Sequence, residues 1–192
     1  MPSATTTKKA TASRSTKKGL DAAPVKEPVA AVPGVEEKTK PKITMDMLVP
    51  CVNMVRDGEL IYMSRRTNGY QVRWHSFMET QYVEMSELVA MKSTDIAFFT
   101  NNWFVIPDSY ELKKEVLDYL GVSRYYKNAP DADTINELFA LPANEIIEKV
   151  TPMTQVSKEA VRMLAEKAIV KGTLDSLQKI HALEMALECK LT

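Results

Sequence analysis

Along residues 70–77 the apolar and polar positions alternate. Tyr70, Val72 and Trp74 fall on one side, and Gln71, Arg73 and His75 on the other. A period of two is the signature of a half-buried strand, so Tyr70–Phe77 is predicted as one. The turn signals around it divide the preceding residues. Asp57-Gly58 and Thr67-Asn68-Gly69 bracket a strand over Glu59–Arg65, and Leu48–Val55 reads as an earlier one. Gln81–Glu84 makes a further short strand. Ser86 is placed to cap a short helix through Met91, with Glu87 in its first turn. A turn over Thr94–Phe99 brings two phenylalanines inward, and Trp103–Ile106 is a final buried strand stopped by Pro107.

From Asp108 the spacing becomes helical. A helix capped by Asp108 or Ser109 runs to Leu120, with Leu112, Val116, Tyr119 and Leu120 as its buried stripe and Gly121 as its stop. A second helix starts at Asp133 or Thr134 and ends at Ala140. A third begins at Pro142 and ends at Pro152. Thr154–Val170 is the longest, its face set by Val156, Ala160, Leu164 and Ala168 and its end by Gly172. The last runs from Thr173 to about Cys189 along Leu177, Ile180, Leu183 and Leu187. The class is α+β: a small, bent antiparallel β-sheet or SH3-like barrel over residues 43–107, then a C-terminal helical bundle over 108–192.

Residues 1–42 show neither period. Ala, Thr, Lys, Pro and Val dominate, and aromatics are absent. Such a segment buries too little apolar surface to offset its ordering entropy, so a disordered basic tail is expected. It carries nine basic and four acidic residues, a net +5, while the remaining 150 residues carry −5. Lys8, Lys9, Arg14, Lys17 and Lys18 precede the first acid and are candidates for contact with nucleic acid or another acidic partner. A solubilising spacer is the alternative. The N-terminus lacks an apolar signal core, and no apolar run approaches the roughly 20 residues of a membrane span. No membrane association is expected.

Catalytic patterns are missing. The six glycines form no phosphate-binding loop, and His75 and His181 lie in different elements. Cys51 and Cys189 have no metal spacing and read as reduced thiols. Glu84 with Glu87 and Asp131 with Asp133 are carboxylate pairs without a cleft-like setting, and capping accounts for the second. No enzyme activity and no cofactor is expected. The arginines of the hairpin are more suggestive, because guanidinium suits phosphate or carboxylate. Arg65, Arg66 and Arg73 could share one sheet surface with Arg56 nearby, although cross-strand pairs with Asp57, Glu59, Glu79 or Glu84 explain them as well. Tyr62, Tyr70, Trp74, Phe77 and Tyr82 form an aromatic-rich β region, read as core in preference to a stacking platform or a peptide groove. Methionines cluster in the β-rich part and could form an adaptable partner surface or fill gaps.

The succession "LVPCVNMV", "LIYMSRRTNGYQVRW", "QYVEMSELVAMKS", "FFTNNWFVI", "YLGVSRYYKN" and "GTLDSLQKIHALEMAL" resembles tailed-bacteriophage proteins of virion structure and assembly, over about residues 45–190. The resemblance implies a structural subunit of a head, head–tail connector or tail, made in the host cytoplasm and carried in the virion. It implies other virion proteins, or further copies of itself, as partners, with packaged DNA within reach of the basic tail. It transfers no active-site residue. A nucleic-acid-binding protein and a regulator of a host protein are the other readings.

Overall fold

The computed structural model describes residues 42–191, a mixed α+β unit with five strands and seven helices among the described residues. The basic tail and its Lys8, Lys9, Arg14, Lys17 and Lys18 lie outside the described residues.

Strand β1 (Leu48–Asn53) is central in a three-stranded antiparallel sheet, between β4 (Thr80–Glu84) and β5 (Phe104–Val105). The hairpin of β2 (Leu60–Met63) and β3 (Gln71–Trp74) is a separate two-stranded sheet, with Leu60 opposite Trp74 and Ile61 opposite Arg73. All four longer strands fall within or across the predicted ones. The hairpin closes onto the first sheet through Trp74. Its indole N–H donates to the Cys51 carbonyl at 2.8 Å, and its ring stacks on Phe104 at 6.3 Å. Val49, Cys51 and Asn53 point to this side and are fully buried.

Helix α1 (Met85–Thr94) follows β4 directly. Ser86 does not cap it: Glu84 holds the cap position, its carboxylate accepting from Ser86 Oγ at 3.3 Å but from no helix backbone N–H. Glu87, buried in the first turn, accepts hydrogen bonds from Thr67 Oγ1 at 2.5 Å and Tyr62 Oη at 3.3 Å. One carboxylate thereby ties the hairpin turn to the helix start, where the macrodipole favours negative charge. Helix α2 (Ala97–Thr100) brings Phe98 and Phe99 into the core, as its sequence indicates.

Helix α3 (Lys113–Leu120) begins four residues later than a cap at Asp108 would place it. The chain first makes two turns, with Tyr110 N–H to Pro107 O and Lys113 N–H to Tyr110 O, and Asp108 is used elsewhere. Tyr119 is exposed, and Leu117 takes its expected place beside Val116 and Leu120. Gly121 ends the helix at φ 66°, a left-handed conformation that favours glycine. After a 3-10 turn (Ser123–Tyr125) come α4 (Ala132–Ala140), α5 (Ala143–Val150), α6 (Gln155–Val170) and α7 (Leu177–Leu187). Asp131 caps α4 and Thr154 caps α6, each accepting the N–H three residues on. The Lys179 ammonium of α7 donates to the carbonyls of Phe139 and Ala140, filling acceptors at the C-terminus of α4.

The buried face of α6 is Ser157, Ala160, Val161 and Ala165, rotated from the expected stripe, whose Val156, Leu164 and Ala168 are only partly covered. Leu177 is exposed rather than buried. One buried cluster nevertheless runs without a break from Val49 through Phe104, Tyr126 and Ile146 to Leu183. Among the described residues no helix is long and apolar enough to cross a membrane.

Candidate docking face

The arginines of the hairpin are mostly engaged by carboxylates. Arg73 lies 3.0 Å from Glu59, whose other oxygen is 3.1 Å from His75 Nδ1. Arg65, two residues past the end of β2, reaches Asp95 at 2.9 Å. Arg56 turns toward Glu159 at 3.3 Å. Arg66 is exposed, and its amide donates to Ser64 Oγ. Only Arg73 and His75 are brought together, and Glu59 sits between them. Asp95 and Glu159 lie 30 and 103 residues away from their partners, so inspection of neighbouring acids could not have found these pairs.

The chemistry-bearing groups are equally occupied. Cys51 is fully buried, its thiol donates toward Val49 O, and burial pushes its pKa far above the ordinary thiol value. His181 is exposed beside Glu184. Among the described residues no three His, Cys, Asp or Glu side chains gather as a metal site.

What remains open is the outer face of the three-stranded sheet. Leu48, Pro50 and Val52 lie on this face, Leu48 exposed, Val52 half-buried and Pro50 buried. Tyr82 stands directly opposite Pro50 and Thr80 opposite Val52. Tyr82 is 62% exposed and Leu48 55%, which corrects the assignment of Tyr82 to the core. Val83, not Tyr82, points inward from β4.

The register explains why the sheet ends beside this face. Asn53 N–H donates to Glu79 O on the β4 side, so Val49, Cys51 and Asn53 bond toward β4. Leu48, Pro50 and Val52 therefore direct their backbone groups toward β5. There Val52 pairs with Val105 and Met54 N–H reaches Trp103 O at 2.9 Å. The next step of that ladder would set Pro50 against Pro107. Neither has an N–H to give, so β5 stops after two residues. The chain then leaves the sheet at Pro107, and a cleft of about 500 Å³ opens between Pro50, Val52, Tyr82, Pro107 and Tyr110. Prolines on a half-open strand also block indiscriminate edge pairing. The surface therefore invites side-chain packing rather than strand addition on that side.

Tyr82 and the proline pair carry a signal in the sequence. Pro50 within a strand marks the side where a ladder ends, and Tyr82 has the opposite parity to Val83. Comparison with known proteins gives no match to a family model, to a curated protein or to a solved structure.

Proposed function

We propose that this protein is a non-enzymatic packing subunit that joins a larger assembly through the outer face of its three-stranded sheet. The observation that carries this reading is the exposure of Leu48 and Tyr82 beside the cleft walled by Pro50, Val52 and Tyr110. Burying one such side chain is worth roughly 1.5–3 kcal/mol, so a partner covering both would gain several kcal/mol that the isolated chain forgoes. The sealed Cys51 thiol and the occupied histidine and arginines add support. The resemblance to tailed-phage virion proteins gives the assembly its proposed setting, a head, connector or tail, with neighbouring virion proteins or further copies as partners. We also read the hairpin folded over the inner face of the sheet as an SH3-like arrangement, and α4–α7 as a bundle.

A decisive experiment uses L48S/Y82S. Both sites are exposed, so this variant should unfold as cooperatively as the wild type. It should fail to form the higher-order species that light scattering detects for the wild type, and it should be lost from purified particles by mass spectrometry. A wild type that stays monomeric with virion proteins and is absent from particles would refute the proposal. The +5 of residues 1–42 supports an additional contact with packaged DNA. In that case deletion of these residues should flatten the salt dependence of DNA binding.

A further inference from the structure

A second cleft, of about 410 Å³, lies on the helical side of the molecule between the segment after Pro107, the loop after the 3-10 turn, and α4 and α5. Its lining is divided. Tyr126, Ala129 and Leu138 are buried apolar walls, while Lys113, Lys127 and Lys149 supply ammonium groups. Tyr126 is no base: its phenol is held by the Phe104 carbonyl, and burial raises its pKa well above the usual value.

The charges around this cleft are unequally engaged. Lys113 is tied to Asp108 at 2.6 Å. Asp108 also meets the Thr134 hydroxyl at 2.7 Å, and that hydroxyl lies 2.8 Å from Asp131. Lys127 and Lys149 are exposed and form no ion pair with another described residue. Counting Asp108 and Asp131 against the three lysines leaves one positive charge beside an apolar floor. The cavity falls in the size range of small-molecule sites, which combine apolar walls with a few placed polar groups.

We infer that this cleft binds a small monocarboxylate carrying an aromatic or branched aliphatic body. The body would lie on Leu138 and Ala129, and the carboxylate would bridge Lys127 and Lys149. A dianion suits the site less well, because its second charge would face Asp108 and Asp131 with only one surplus cation to neutralise it. The inference does not rest on the sheet face, although the two clefts flank one segment, with Pro107, Ser109 and Tyr110 lining that cleft and Asp108 and Lys113 this one.

The test is an NMR titration of the full chain with 4-phenylbutyrate as probe. Saturable amide shifts are expected at Ala129, Thr134 and Leu138. The neutral amide of the same acid should bind at least about fivefold more weakly, and so should the acid to K127Q/K149Q, since two partly screened charge contacts are lost. Phenyl phosphate should bind no more tightly than the carboxylate. Both lysines are exposed, so the double variant should keep the wild-type spectrum away from the cleft. Shifts that do not saturate, or equal affinity for the amide, would overturn the inference. So would an unchanged affinity in K127Q/K149Q, or clear preference for the phosphate.

Discussion

Asp131 is the side chain whose removal should reveal most about how the β-rich and helical parts are joined. It is buried, and its carboxylate serves two segments at once. One oxygen accepts the Thr134 N–H at 2.9 Å and the Thr134 hydroxyl, capping α4, while the other accepts the Asp108 N–H at 2.8 Å just after β5. In D131A the cap is lost, at about 1 kcal/mol. The Asp108 amide is also left without its partner, at about 1–2 kcal/mol. The Thr134 hydroxyl keeps Asp108 as an acceptor at 2.7 Å, so nothing further is charged to it. The sum is about 2–3 kcal/mol, or a melting temperature lower by roughly 5–10 °C for a unit of this size. D131N keeps a cap oxygen but turns an amide N–H₂ toward the Asp108 donor, and should lose about half as much. Urea unfolding followed by the fluorescence of Trp74 and Trp103 measures both. The pH dependence gives an internal check. Burial opposes ionisation of Asp131, yet the two amides, the hydroxyl and Lys113 together hold its pKa below the ordinary value. Its contribution is therefore complete above the unfolded carboxyl pKa, about pH 4, and is lost as pH falls through the lower folded value. The gap between wild type and D131A should narrow only in that acid window. A D131A loss below about 0.5 kcal/mol, or D131N as damaging as D131A, would refute this account.

Two further outcomes follow from buried or strained positions. At pH 8 a water-soluble disulfide reagent should modify Cys189 slowly, because burial and neighbouring glutamates raise its pKa against the pull of Arg162, and should spare Cys51 until the protein unfolds. Equal rates for the two thiols in the native protein would contradict the burial of Cys51. G121A should be destabilised by about 1 kcal/mol or more, because φ is 66° there and the new methyl would meet Lys92 Nζ only at ordinary contact distance. Strain, not crowding, is the cause, so a K92A background should leave the G121A penalty unchanged in the same unfolding assay.

Local patterns were legible where one covalent segment contains the whole reason for its structure. The alternation through Tyr70, Val72 and Trp74 is one such case, since a strand's period and its buried side are visible together. The Gly121 stop is another. Helix α3 was misplaced because Asp108 looked like a cap, whereas its carboxylate belongs to Lys113 and to Thr134, 26 residues away. The series Val156, Ala160, Leu164 and Ala168 sets the expected face of α6, yet of these only Ala160 is enclosed by the neighbouring core, together with Ser157, Val161 and Ala165. Small side chains let packed elements approach closely, and this advantage exists only once the neighbour is present.

The docking face differs from those errors. Aromatic residues in strands usually supply core, which points Tyr82 inward, and its partner Pro50 is indeed buried. The pairing register puts Tyr82 of β4 opposite Pro50 on the face that lines the cleft, while on the other flank of β1 Pro50 and Pro107 end the ladder with β5. A side chain of core type, held in a fixed register beside a preformed apolar cleft, is complete only when another surface covers it. That is why the proposed role rests on this face and not on the hairpin arginines. The charges of Arg56, Arg65 and Arg73 are already met within the chain by Glu159, Asp95 and Glu59, whereas the apolar surface of Leu48 and Tyr82 is not.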